Sequence, residues 1–247
     1  MALGQHEFNG RQVLVTGGTS GIGAAVSRAY RAGGARVLAC AADSAELDAA
    51  RADPAFDGID VAHMDVTDAD SIAAVLGPLA TIDALVCSAG VTLQEREIEQ
   101  DGFERVLDVN LHGSFRVATA AFDALKAGRG NIVFVASVLS FVGSARLPAY
   151  CASKGAIHSL TQSLACRWAG DGVRVNAVAP GWTETPLSAK GRANEAFMHS
   201  IEARTPMGRW AQPDEIADPV LFLGSNAARF VTGVVLPVDG GYLAAGS

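Results

Sequence analysis

Tyr150 and Lys154 stand four residues apart in Tyr150-Cys151-Ala152-Ser153-Lys154, and Ser137 precedes Tyr150 by thirteen residues. On a helix, side chains at i and i+4 share one face, so this spacing places a phenol beside an ammonium. The pairing matters because a tyrosine, with a pKa of about 10, is a poor base near neutrality and burial raises that pKa further. A cation offsets the penalty: at an effective dielectric near 20, a unit charge about 5 Å away contributes roughly 3 kcal/mol, or about two pK units downward. Taken alone, Tyr150 also has the character of a half-buried amphipathic ring that does no chemistry.

A second candidate lies near the start of the chain, where Gln12 to Thr16 is followed by Thr16-Gly17-Gly18-Thr19-Ser20-Gly21-Ile22-Gly23 and then by the helical run Ala24 to Ala32. A glycine-rich turn from strand to helix lets backbone N–H groups approach a pyrophosphate at the positive end of the helix. The spacing is G-x-x-x-G-x-G through Gly17, Gly21 and Gly23, not the commoner G-x-G-x-x-G. Glycines alone describe an ordinary tight turn; their place after the first strand of a βαβ unit favours phosphate binding.

The elements that must position these groups are legible in the hydrophobic pattern. Short apolar, β-branched runs at Gln12 to Thr16, Arg36 to Cys40, Ile59 to His63, Ala84 to Cys87, Ile132 to Ala136 and Val173 to Val178 read as buried strands, and Val234 to Val238 as a last one before Asp239-Gly240-Gly241. Between them, Gly23 to Ala32, Asp70 to Leu79, Phe103 to Lys126 and Ala149 to Trp168 carry helical spacing. This alternation predicts an α/β fold, a parallel sheet covered by helices on both faces. No repeat, low-complexity tract or linker interrupts it, so residues 1–247 read as a single domain. The stretch from Gly181 to Pro213 has no clear strand, and residues 181–213 read as a substrate-facing loop or lid. Trp182, Phe197, Met198 and Trp210 flank it, either as an apolar substrate wall or as lid residues packing on the domain.

Composition narrows the function classes. Of 247 residues 49% are hydrophobic and 18% charged, which excludes a disordered chain. The net charge of −7, with no basic cluster, argues against a nucleic-acid partner. The amino terminus MALGQHEFNGRQVLV has no basic stretch leading into an apolar core, and no apolar run reaches the 18 or so residues of a membrane span, so a cytoplasmic protein is expected. Cys40, Cys87, Cys151 and Cys166 show no pairing pattern and read as small buried residues in a reducing compartment. His6, His63, His112, His158 and His199 lack metal-ligand spacing, so no metal site is expected.

With these motifs in order, the chain resembles the classical short-chain dehydrogenases/reductases over residues 8 to 243. The glycine motif matches Thr16 to Gly23, the catalytic tyrosine and lysine match Tyr150 and Lys154, and the serine matches Ser137. A helix-breaking asparagine matches Asn110 in Asp108-Val109-Asn110. Asp65-Val66 matches the segment near the adenine, and Pro180-Gly181-Trp182-Thr183-Glu184-Thr185 the one on the nicotinamide side. The resemblance implies a doubly wound Rossmann fold with a seven-stranded parallel sheet. It further implies that Tyr150 exchanges the hydroxyl proton, Ser137 hydrogen-bonds the substrate oxygen, Lys154 lowers the tyrosine pKa and holds the nicotinamide ribose, and Asn110 carries a water relay. The cofactor-binding set it implies is Gly17, Thr19, Ser20, Gly21, Ile22, Gly23, Asp43, Asp65, Val66, Ser88, Ala89, Gly90, Tyr150, Lys154, Pro180, Gly181, Thr183 and Thr185.

One departure is plain: the family's usual Asn-Asn-Ala-Gly is Cys87-Ser88-Ala89-Gly90 here. Ala-Gly preserves close backbone approach, Ser88 replaces part of an asparagine's contacts, and Cys87 packs as a small apolar residue rather than acting as a nucleophile. The usual acidic position after the second strand falls on Ala41 and the usual basic one on Ala42, which leaves Asp43 as the nearest carboxylate. A carboxylate repels a 2′-phosphate, so NAD is expected over NADP. The expected activity is hydride transfer between that cofactor and a secondary alcohol or ketone: a polyol, sugar or hydroxy acid, or alternatively a 3-oxoacyl group on a carrier. A reading from another class is a dinucleotide-sensing binding protein without catalysis. The resemblance also implies a homotetramer built on the two long helices, whose outer positions are read as Ala118, Ala121, Ala156, Leu160 and Leu164.

Overall fold

Seven parallel strands form one sheet in the order β3-β2-β1-β4-β5-β6-β7, in a computed structural model that describes residues 7–245. The strands are β1 (Gln12–Thr16), β2 (Arg36–Ala41), β3 (Asp60–His63), β4 (Ala84–Cys87), β5 (Asn131–Val135), β6 (Arg174–Pro180) and β7 (Val235–Val238). The helices are α1 (Gly21–Ala32), α2 (Ser44–Ala52), α3 (Ala69–Leu76), α4 (Gln100–Leu107), α5 (Ser114–Ala120), α6 (Phe122–Gly128), α7 (Pro148–Trp168), α8 (Ala189–Arg192), α9 (Glu195–Arg204) and α10 (Pro213–Gly224).

The period of two along a strand sorts side chains to opposite faces and makes two cores. Leu14, Leu85, Ile132 and Phe134 point to one face, where Ile72 of α3, Val117 of α5, Leu125 of α6 and Ile157 and Leu164 of α7 cover them. Val13, Val15, Val86 and Val133 point to the other, under Val26 and Tyr30 of α1 and Ile216, Val220 and Leu223 of α10. Strands buried on both faces are apolar throughout, which is why they read as runs in the sequence. The chain winds outward from β1 in one direction and from β4 in the other. The loops leaving β1 and β4 therefore diverge and open a crevice at the C-terminal edge of the sheet.

Four expectations need correction. The helix expected over Phe103 to Lys126 is interrupted by a π-helical turn at Asp108–Gly113 and ends one segment at Ala120 before Phe122 restarts it. Gly113 packs so closely on Val66 that a Cβ there would lie 2.6 Å from its Cγ2, and the widened turn directs Asn110 inward. Residues 181–213 are folded rather than loop-like: α8 and α9 lie within them, and a bridge between Thr183 and Ala211 closes the excursion onto the sheet edge. Ala118, Ala121 and Leu164 belong to the chain's own core, leaving Ala156 and Leu160 half-buried. Of the four free cysteines, Cys40 and Cys87 are buried as expected, whereas Cys151 is half-buried and Cys166 is exposed on the outer face of α7. His6 lies outside the described residues.

Two helices have start signals in the sequence that periodicity alone passes over. Asp43 is the N-cap of α2, accepting from the backbone N–H groups of Ala45 at 2.7 Å and Glu46 at 3.2 Å. Pro213 opens α10, where the Glu215 carboxylate turns back to the Gln212 N–H at 2.9 Å.

Candidate active site

A cleft of about 390 Å³ occupies the crevice at the ends of β1, β2, β4, β5 and β6. At its upper end the β1–α1 turn comes against the β4 loop. Gly17 has φ +62°, and a Cβ there would lie 2.9 Å from the Cα of Ala89. Gly21 also has positive φ, and a Cβ on Gly23 would lie 1.9 Å from the carbonyl oxygen of Gly17. The three glycines are thus demanded by geometry, and they leave Ser20, Gly21 and Ile22, the first turn of α1, facing the cleft. This cradle fits a dinucleotide pyrophosphate, which a helix N-terminus stabilises through free N–H groups and the helix dipole. Gly17→Ala is expected to cost about 1–3 kcal/mol of stability by overpacking and to weaken dinucleotide binding. Urea unfolding and a fluorescence titration check the two effects separately.

Ser137, Tyr150 and Lys154 converge in the same cleft, which Pro180 and Gly181 also line. Ser137 follows β5 and caps a short 3₁₀ turn at Val138–Ser140, its oxygen accepting from the Leu139 N–H at 3.1 Å. Tyr150 and Lys154 share one face of α7, and the ammonium lies 5.5 Å from the centre of the phenol ring. Lys154 is buried and donates to the Val135 carbonyl at 2.6 Å. Burial pushes the Tyr150 phenol up to about 12, opposed by its hydrogen bond with Ser137, and pushes Lys154 down to about 8. Desolvation dominates the phenol's shift, so the depressed tyrosine pKa expected from the i, i+4 pairing does not appear.

The remaining expected residues divide into those that line the cleft and those that do not. Asp65, Val66, Ser88, Ala89 and Gly90 line it, as do Thr183 and Thr185 beyond β6. One oxygen of Asp65 is committed to the Thr67 N–H and hydroxyl, at 2.8 and 2.7 Å, and the backbone bond holds its carboxyl below the usual range. Gly90 sits beside both Asn110 and Lys154: a Cβ there would make ordinary contact with Asn110 Oδ1 at 3.4 Å and Lys154 Nζ at 3.7 Å. Thr19, Gly23 and Asn110 do not line the cleft; Gly23 and Asn110 are buried and Thr19 is half-buried. Asn110 clamps Val91, accepting from its N–H at 2.8 Å and donating to its carbonyl at 3.0 Å, and its amide also donates to Ser153 Oγ at 3.1 Å. Its own carbonyl accepts from Ser114 Oγ at 2.8 Å. Cys87 is buried, with its thiol pushed up to about 12 by desolvation, as suits an apolar filler.

Several residues at the site escaped sequence reasoning. Glu46 lines the cleft and accepts from Thr19 Oγ1 at 3.2 Å; Arg105 lines it on the Asp65 side. The wall beside Tyr150 is apolar, made of Val91, Leu139, Leu147, Trp182 and Leu187. Trp182 packs on Phe197 and Trp210, with ring centroids 5.0 and 5.3 Å apart, so it serves as cleft wall and lid anchor at once. Glu97 is fully buried and bonds the Tyr150 backbone. Only the Asp43-x-x-Glu46 capping pattern carried a signal; Glu97 sits among exposed charged neighbours in Gln94-Glu95-Arg96-Glu97-Ile98-Glu99 and looks like one of them.

Comparison with known proteins agrees with this arrangement. A family model described as enoyl-(acyl carrier protein) reductase matches residues 17–243. The chain belongs to the classical short-chain dehydrogenase/reductase family. It is 41% identical to a cis-4-hydroxycyclohexanecarboxylate dehydrogenase of Sinomonas cyclohexanicum, covering 96% of this chain and 98% of that one. It is 39% identical to a galactitol 2-dehydrogenase (L-tagatose-forming) of Cereibacter sphaeroides, over 95% and 96% of the two chains. Among solved structures, a putative NAD(P)-dependent gluconate 5-dehydrogenase from Beutenbergia cavernae, crystallised with NADP at low occupancy, superposes with a TM-score of 0.88 at 39% identity, covering 98% of this chain and all of that one. As a member of this family, the protein is an oxidoreductase acting on alcohol groups.

Proposed function

We propose that the protein is an NAD-preferring dehydrogenase of secondary alcohols, with a substrate that is uncharged and apolar beside the reacting carbon. The observation that carries this reading is the convergence of Ser137, Tyr150 and Lys154 on one end of the cleft, against a wall of Val91, Leu139, Leu147, Trp182 and Leu187. A nicotinamide cofactor, when bound, would supply the hydride acceptor or donor, and Pro180 and Gly181 line the cleft that would take it. The residues that would hold the dinucleotide are the Gly17–Gly23 turn, Ser88 to Gly90 and Lys154. In alcohol oxidation the Ser137 hydroxyl donates to the substrate oxygen while the substrate O–H proton passes to the Tyr150 phenolate, and in ketone reduction the phenol returns that proton. Ser137 polarises the oxygen in both directions, and the Lys154 ammonium favours negative charge on the phenol as it forms. Asn110 holds Val91 in the wall and Ser153 beneath Tyr150.

The carrier-linked reading loses support at the lid. A carrier reductase wants a basic patch for its acidic partner. Here Arg192 faces Glu184 at 3.4 Å, Arg209 is paired with Glu215 at 2.6 Å, and Arg204 lies over the Tyr242 ring at 4.5 Å. These arginines are spent on internal partners.

For the cofactor, two carboxylates, Asp43 and Glu46, edge the cleft beyond β2, and the small Ala41 and Ala42 put no cation between them. A 2′-phosphate there would meet negative charge. Catalytic efficiency is expected to be several-fold higher with NAD, measured across cyclic alcohols, polyols and hydroxy acids. Asp43→Asn together with Glu46→Gln should erase the preference while keeping the α2 cap. A tenfold advantage for NADP in the wild type, or no turnover of any alcohol or ketone in the panel, would sink the reading.

We also place the enzyme in the cytoplasm, where its free thiols stay reduced, and read it as a homotetramer. Among the described residues no helix is long and apolar enough to cross a membrane. Phe115 of α5 is 44% exposed and Ala152 of α7 is exposed, on two helices that cover the same sheet face. Light scattering at micromolar concentration is expected to return four times the chain mass; a monomer mass would refute the assembly.

A further inference from the structure

Helix α7 carries both Tyr150 and Lys154, yet its own N-cap is poor. Leu147 occupies the cap position with no side-chain bond, and Pro148 follows at the first helical position. The N–H of Tyr150, in the first turn, therefore lacks a partner from its own helix. That partner comes from 53 residues earlier: Glu97 Oε2 accepts from the Tyr150 N–H at 2.9 Å. The other oxygen, Oε1, accepts from Thr92 Oγ1 at 2.7 Å and from the Leu93 N–H at 3.0 Å. Glu97 has no exposed surface, and among the described residues no lysine, arginine or histidine forms an ion pair with it. A buried carboxylate without a cation is costly, and three donors plus the positive end of a 21-residue helix are what compensate it.

We propose that Glu97 is a positioning residue: its carboxylate caps α7 and fixes Tyr150 against the Val91–Thr92 stretch of the cleft wall. This rests on the dehydrogenase reading for its catalytic consequence, though not for the contact itself. The geometry links three parts of the site. Asn110 holds Val91, Glu97 holds Thr92 and Leu93, and Ser153 joins the two by accepting from Asn110 and donating to the Tyr150 carbonyl at 2.8 Å. The N–H and the C=O of Tyr150 are thus both tied to this network, so the phenol's distance to substrate is set by Glu97 as much as by α7. A second effect follows from charge. The groups facing the phenol are Ser137, Cys151, Lys154 and Glu97, and the Glu97 carboxylate disfavours a phenolate.

The test compares Glu97→Ala and Glu97→Gln with the wild-type chain. Displacements of about 1 Å can cost about 100-fold in rate, so Glu97→Ala is expected to lower kcat at least tenfold with the KM for NAD within threefold. Amide hydrogen exchange at Tyr150 should accelerate at least tenfold. Glu97→Gln keeps size but removes the charge and one of the two acceptor oxygens, so it should loosen the cap and move the rising limb of the alcohol-oxidation pH profile toward acid by about half a unit. A purely structural role would leave that limb in place. Should the alanine variant fail to fold, the glutamine variant carries both the exchange and the pH measurement. Unchanged exchange at Tyr150, or a superimposable pH profile, overturns the proposal. The exchange measurement needs no substrate: faster exchange in a chain inactive on every alcohol would uphold the contact and count against the dehydrogenase reading instead.

Discussion

Tyr150→Phe is expected to lower turnover by about 10³-fold, within the range that a positioned acid–base group contributes, while leaving dinucleotide affinity within about threefold. The variant loses one oxygen. The ring keeps its place beside Val138, Leu139 and Leu147, and the backbone bonds to Glu97 and Ser153 do not involve the side chain. Steady-state rates and a direct cofactor titration separate the two quantities, and a retained rate above a tenth of wild type would defeat the assignment. The wild-type pH dependence has a determined sign. With the phenol raised to about 12, the protonated form needed for ketone reduction predominates across neutral pH, so that direction is nearly flat. Alcohol oxidation needs the phenolate and should rise by about one decade per pH unit until another step limits it.

Lys154→Met is expected to abolish turnover and weaken dinucleotide binding together, and also to stabilise the fold. One ammonium is proposed to serve both the phenol and the cofactor ribose, so both losses should appear in one variant. The stability gain comes from desolvation. Lys154 is buried with its pKa lowered to about 8 from an ordinary 10.5, so between those values the folded chain binds fewer protons than the unfolded one. Stability from this group therefore increases as pH rises from 8 toward 10.5, and below pH 8 the buried charge costs up to about 3 kcal/mol, partly offset by its bond to Val135. The advantage of the methionine variant should be largest near pH 7 and shrink toward pH 10. Following the difference between the two proteins cancels the other titrating groups, including Cys40 and Cys87, whose raised pKa values act in the opposite direction. A methionine variant less stable than wild type at pH 7 would show that the Val135 bond outweighs the desolvation.

Much of this site follows from local chemistry that a sequence displays directly. Strands buried on both faces must be apolar, so six of the seven read as runs bounded by glycine, asparagine or aspartate, and β7 as a short run before Asp239-Gly240-Gly241. Gly17, Gly21 and Gly23 announce themselves because no other residue tolerates those φ values and contacts. Tyr150 and Lys154 are paired by the helical repeat alone. Breaks and caps are less visible when their cause is distant. The π-helical turn at Asn110 answers to Val66 and Val91, which lie far along the chain, and α2 was missed because Asp43 served equally well as an expected cofactor contact.

What the sequence determined by itself is the order of strands and helices, the glycine turn and the residues able to exchange a proton, because each depends on neighbours within a few positions. Only the tertiary structure decided which charges are buried and what they meet. Glu97 and Glu95 are two residues apart in one charged stretch, yet Glu97 has no exposed surface and holds Tyr150, while the side chain of Glu95 is 88% exposed. The same holds for Tyr150, whose burial raises a phenol pKa that its spacing from Lys154 would lower, and for Lys154, whose own burial lowers its pKa. Burial and these partners come from packing between distant segments, Tyr150 lying 53 residues from Glu97 and Val135 19 residues from Lys154. No local pattern encodes them, and they are the quantities that fix the pKa and the position of a catalytic group.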